Sequence, residues 1–139
     1  MKIENTKKIL WVVAPLIFIS VFLYMTYYNA SYDHPGKEVY TNQCAGCHGD
    51  NGEGIKSLVP PIFHADMAEN NVDSLPCWIL KGMNHPIAVN GKAYDQPMYP
   101  IGLDEVQISN LLNYLKIEMV SSKVEINSAW VTERMKKCK

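Results

Sequence analysis

The 139-residue chain should fold as an all-α globule placed behind one N-terminal transmembrane helix. Three features point there. Ile108, Leu111, Leu112, Leu115 and Met119 recur at helical spacing and make one apolar face, whereas no stretch alternates convincingly enough to read as a sheet. Ile9 to Tyr28 is a run of twenty residues without a charge. Cys44-Ala45-Gly46-Cys47-His48 spells C-x-x-C-H, the attachment signature of a c-type haem. Hydrophobic residues at 47% and charged residues at 19% exclude a disordered or nucleic-acid-binding composition. The chain shows no internal repeat and no low-complexity tract.

At 1.5 Å per residue, twenty helical residues match a hydrocarbon core of ~30 Å. Lys2, Lys7 and Lys8 precede the run, and Asp33 is the first charge after it. The positive-inside rule leaves the N-terminus in the cytoplasm and sends the rest across. Trp11, Tyr24, Tyr27 and Tyr28 suit interfacial anchoring, and Pro15 is tolerated in a spanning helix. A cleaved signal peptide is the rival reading, but Tyr28 at −3 from Ala30 makes a poor cleavage pattern. Either way the haem motif lies outside the cytoplasm.

After a short polar linker, Gly36 to Gln43 reads as a helix running into the haem motif, with Val39 and Tyr40 facing inward. Gly49, Gly52 and Gly54 then let the backbone turn tightly. Residues 55 to 72 read as irregular, interrupted by Pro60-Pro61. Asp73 or Ser74 caps a short helix with proline in its first turn, and Gly82 ends it. Asn84 to Tyr99 reads as a loop with a turn at Asn90-Gly91. The last strong helix runs from Asp104 to about Met119, where Asp104 and Gln107 form a capping-box pattern. Ser128 to Lys137 offers a short helix in the tail, with Trp130 covering apolar surface.

The motif has a chemical logic. Two thiols two residues apart can bond the two vinyl groups of one haem, and His48 presents its imidazole to the iron from the same side. A zinc site would need a second ligand pair, which the isolated Cys77 and Cys138 do not form. Opposite His48 the candidates are Met67, Met83, Met98, His64 and His85. Met98 stands between Pro97 and Pro100, which stiffen the backbone around a weak thioether ligand, and lies 50 residues beyond His48. Met83, after the Gly82 breaker, is the runner-up. His64 or His85 would give a bis-His centre instead. In an oxidising compartment, Cys77 and Cys138 can pair.

With these pieces in order, Pro35 to Met119 resembles the small single-haem class I cytochrome c domains of bacteria, here in a membrane-anchored form. The resemblance rests on Gly36, Tyr40, the C-x-x-C-H-G run, Gly52-x-Gly54, Pro60-Pro61 and Ile79-x-x-Gly82. It continues through Asn90-Gly91, Met98-x-Pro100, Leu103-Asp104-Glu105 and Leu112-Asn113-Tyr114-Leu115. It departs at Tyr99, where such domains usually place proline directly after the methionine. The resemblance implies three to five helices around one covalent haem c, with His48 and Met98 as axial ligands. It implies that Gly36 and Tyr40 meet Leu111 and Tyr114 at a helix crossing. It also implies that a carbonyl of Pro60 or Pro61 accepts the proton of His48 Nδ1.

The domain plan is a basic cytoplasmic N-terminus at 1–8, an anchor at 9–28, a linker at 29–35, the cytochrome c domain at 36–120 and a tail at 121–139. A Cys77–Cys138 disulfide would pin that tail. Residues 32–120 hold five lysines against eleven acidic residues, a net −6, whereas the tail carries +3. An acidic body argues against the partner surface of a lysine-ringed cytochrome.

The function expected is a membrane-tethered carrier of single electrons between respiratory-chain partners, membrane-bound or periplasmic, and not an enzyme. Two other classes stay open. One is a fixed cytochrome subunit of a larger oxidoreductase complex. The other is a haem-based gas or redox sensor with a labile sixth ligand.

Overall fold

The computed structural model describes the backbone of residues 2–31, 34–118 and 125–138, with side chains at 11, 13–27, 34–116 and 125–138. It falls into two units, Met1–Asp33 and His34–Lys139. The first is a single helix, α1 (Lys2–Ser31), with Pro15 inside it. Trp11, Phe18, Phe22, Leu23 and Tyr27 are all exposed. Among the described residues no helix is long and apolar enough to cross a membrane. The expected span 9–28 runs past the described side chains at both ends.

The second unit is built on two helices that cross closely. α2 (Pro35–Gln43) starts at His34, whose Nδ1 accepts from Gly36 N at 3.1 Å, with Pro35 in the first turn. α6 (Glu105–Glu118) starts at Asp104 in a full capping box. Asp104 Oδ1 accepts from Gln107 N at 2.8 Å, and Asp104 N donates to Gln107 Oε1 at 3.0 Å. Met119, expected as the last apolar position of this helix, lies outside the described residues. The crossing works because Gly36 has no side chain: a Cβ there would overlap Asn110 O and lie 2.7 Å from Tyr114 Cβ. Tyr40, Ile108, Leu111 and Leu112 are almost fully buried beside it. Each buried leucine contributes roughly 1.5–3 kcal/mol.

Between these helices lie α3 (Ala45–His48), α4 (Asp66–Asn70), a 3-10 turn (Val72–Ser74) leading into α5 (Leu75–Lys81), and a hairpin. Gly82 closes α5 at φ 72°, as its position after the helix suggested. The hairpin corrects the expected loop at 84–99. β1 (Ile87–Val89) pairs antiparallel with β2 (Lys92–Tyr94), Ile87 opposite Tyr94 and Val89 opposite Lys92. Asn90 and Gly91 both take positive φ, 51° and 75°, which matches the twist of the two strands. The expected turn is there, but its flanking strands are three residues each, too short to leave a period-two pattern.

α4 likewise corrects the expectation of irregular chain from 55 to 72. It is held from outside: Asp66 N donates to Asn90 Oδ1 and Asn90 N to Asp66 Oδ1, across 24 residues. With these short elements, six α-helices follow α1 among the described residues, rather than three to five.

α7 (Ser128–Met135) lies in the tail, capped by Asn127, whose Oδ1 accepts from Trp130 N at 2.9 Å. It sends Val131 into the core, as Ile126 just before it does, and Trp130 packs against the same cluster. Cys77 on α5 and Cys138 beyond α7 are joined by a disulfide.

Candidate haem site

One helical turn assembles the motif. Cys44 ends α2 with its N–H on Tyr40 O, and His48 N returns to Cys44 O at 2.9 Å. Cys44, Cys47 and His48 are therefore at i, i+3 and i+4, which share a helix face. The turn stops at Gly49, φ 81°, whose carbonyl accepts from the Tyr40 hydroxyl at 2.6 Å. Cys44 is buried and Cys47 exposed.

The glycine-rich loop then folds back onto His48. Gly54 N donates to His48 O at 2.7 Å, and Ile55 pairs with Val59. This brings Pro60 O to 3.0 Å from His48 Nδ1. Such a contact puts the proton on Nδ1 and leaves Nε2 as the free lone pair, the form that ligates a metal. Pro61 lines the same cavity without making that contact. Burial pushes the His48 pKa below its ordinary value, opposed by the Pro60 carbonyl. Burial, then Cys47, pushes the Cys44 thiol up to about 11.

His48 shares its cavity with the two methionines that the sequence singled out. Met83 and Met98 form an isolated antiparallel bridge, each N–H donating to the other's carbonyl at 2.8 Å. Directly opposed residues in such a pair project to one face, and both methionines line the cavity that His48 lines. That cavity has a strongly apolar wall, including Leu75, Trp78, Ile79, Leu111 and Leu112. It adjoins a second, which takes in Cys47 and whose mouth carries Leu58, His85 and Tyr99. Both cavities include Cys44, His48, Pro60, Met83 and Met98.

Of the other candidates, Met67 lines the inner cavity and His85 the outer one. His64 lines neither; it is exposed at φ 55°, and its carbonyl accepts from Asn90 Nδ2 at 3.1 Å. Sequence reasoning passed over Trp78. Its signal was available: Leu75, Trp78 and Ile79 sit three and four apart on one helix face.

The donor set fits a haem rather than a bare ion. Two thiols and an imidazole on one helix face meet an apolar hollow that Met83 and Met98 also line, the environment a porphyrin requires. Among the described residues, no group of three or more His, Cys, Asp or Glu side chains could hold a metal ion alone.

The family profile for cytochrome c matches residues 34–117. Two cytochrome c-552 proteins of Thermus thermophilus are each 32% identical to the chain over 85 residues, which is 58% of this chain. The matched stretch is 64% of one relative and 57% of the other, so the chain spans less than two thirds of their length.

Proposed function

Because the chain belongs to the cytochrome c family, whose members hold covalently attached haem c, we propose that it is a membrane-tethered carrier of single electrons between respiratory-chain partners. The observation that carries this reading is the placement of His48 and Met98 on one apolar cavity that also includes Cys44 and Cys47. Haem c, when bound, supplies an iron that changes between ferrous and ferric states.

The chain's own residues do the rest. Cys44 and Cys47 would hold the group through thioethers. His48 is fixed in tautomer and orientation by Pro60 O, which makes it a better donor. Met98 would be the second ligand, held by its backbone pairing with Met83. Leu75, Ile79 and the α6 leucines exclude water, which keeps the site at low dielectric. Partners dock at the mouth, where Leu58 and Tyr99 are exposed, with Ile55 nearby.

The tether rests on the uncharged run Ile9 to Tyr28 and on the three lysines before it. It places the haem domain on the periplasmic side of the inner membrane and confines the search for membrane-bound donors and acceptors to the surface. The Cys77–Cys138 bridge suits the same compartment.

The test is the optical spectrum of the full-length protein. A far-red Met–iron charge-transfer band in the ferric wild type, lost in Met98→Ala, supports the reading. A wild type without the band whose ferrous form binds carbon monoxide overturns it. Release of the protein from membranes by carbonate washing would overturn the tether alone.

A further inference from the structure

The region matched by the cytochrome c profile ends at residue 117, yet the chain continues into a helix that is bolted to the haem wall. α7 and Ile126 before it reach into the core: Ile126 is 5% and Val131 0% exposed. They cluster with Leu75, Ile79, Leu111 and Leu112, which also line the cavity. Ile126 O is held by Asn113 Nδ2 at 2.7 Å and by Ser109 Oγ at 3.3 Å, both from α6. Two bonds then tie α7 to the α5 segment. One is the Cys77–Cys138 disulfide. The other is Arg134 Nε to Asp73 Oδ1 at 2.7 Å, with the guanidinium lying 3.6 Å over the Trp130 ring.

The far end of α5 holds the methionine loop at three points. Ile101 N donates to Ile79 O at 2.9 Å. Gly82 lies so close to Met98 O that a Cβ would overlap it. Met83 and Met98 exchange both backbone bonds. A continuous set of bonds therefore runs from the tail helix through α5 to the segment 98–101.

We propose that the tail helix and its Cys77–Cys138 bridge position Met98: they hold α5 still, and α5 holds the loop that presents the thioether to the iron. Cys77, Cys138, Asp73 and Arg134 are positioning residues that act through α5. This rests on Met98 being the sixth ligand. Loosening the bridge should ease displacement of the thioether while the α2–α6 crossing stays intact.

The experiment compares full-length holoprotein with Cys77→Ser/Cys138→Ser, and separately with Arg134→Gln, which keeps the disulfide if the double variant folds poorly. Two quantities are read. The first is ferric imidazole affinity, expected to rise about tenfold in the double variant and less in Arg134→Gln. The second is amide hydrogen exchange, expected to quicken about tenfold at Met83, Met98 and Ile101 but not at Cys44 or Ile108. Glu133→Gln, which breaks only the Lys137–Glu133 pair within the tail, should change neither.

Unchanged imidazole affinity in both strap variants overturns the proposal. So does exchange that quickens equally at Cys44 and Ile108, which is the mark of a general loss of stability. A wild type lacking the Met–iron band would instead sink the ligand assignment, while selective exchange at Met83, Met98 and Ile101 would still report the mechanical link.

Discussion

Met83 and Met98 exchange both of their backbone hydrogen bonds, so the two thioethers nearest in kind stand side by side on one wall of the haem cavity. Pairing gives them one face but different supports. Met98 lies between Pro97 and Pro100, whereas Met83 follows Gly82 at a helix end. Met83→Leu should therefore keep the ferric far-red band, and Met98→Leu should lose it. The reverse result in these two spectra would exchange their roles.

Gly54 offers access to His48, the other proposed ligand. Its φ is 71°, and a Cβ there would overlap Val59 O and lie 2.7 Å from the Pro60 carbonyl. Gly54→Ala should cost about 1–2 kcal/mol in backbone strain alone. It should also push Pro60 O away from His48 Nδ1, weaken the imidazole as a donor and raise the midpoint potential. Redox titration checks this, and an unmoved potential would remove Pro60 from the account.

At the α2–α6 crossing, Gly36→Ala sets a methyl group against the Asn110 carbonyl, which is backbone and cannot swing aside. The expected loss is about 2–4 kcal/mol in denaturant unfolding. A variant as stable as wild type would mean that the helices separate freely, contrary to the packing of Tyr40 and Leu111.

Tyr40 should make the fold sensitive to alkali. Burial holds its phenol well above the ordinary value of about 10. Above about pH 10 the unfolded chain releases this proton while the folded chain retains it, so the contribution is present below that pH and is lost as pH rises. Tyr40→Phe should cost about 1 kcal/mol at neutral pH, from the bond to Gly49 O. It should also flatten the alkaline decline in unfolding free energy. A decline as steep in the variant as in wild type would assign it to other groups.

Much of this was legible in the sequence because it is local. The C-x-x-C-H turn carries its chemistry within five residues, and α6 shows itself through leucine spacing and the Asp104–Gln107 box. What escaped depends on distant partners. α4 needs Asn90 from 24 residues away, and its own five residues carry no periodicity. The hairpin strands are too short to show alternation. The Met83–Met98 pairing joins two residues named separately as rivals, and only the path of the chain between them makes them neighbours. The run 9–28 is the opposite case, plain as composition yet extending past the described side chains.

The unequal exposure of the two motif cysteines sets an order of assembly. Cys44 is 7% exposed, and its thiol is held protonated with a pKa of about 11, so in the closed fold it is a poor nucleophile. Cys47, exposed on the same turn, stays open to reagents. A folded chain without haem should be labelled by an alkylating agent at Cys47 and spared at Cys44; equal labelling would show that the turn breathes freely. Bond formation at Cys44 is therefore expected before the fold closes over it. A chain that closes before Cys44 has reacted has shut its own doorway.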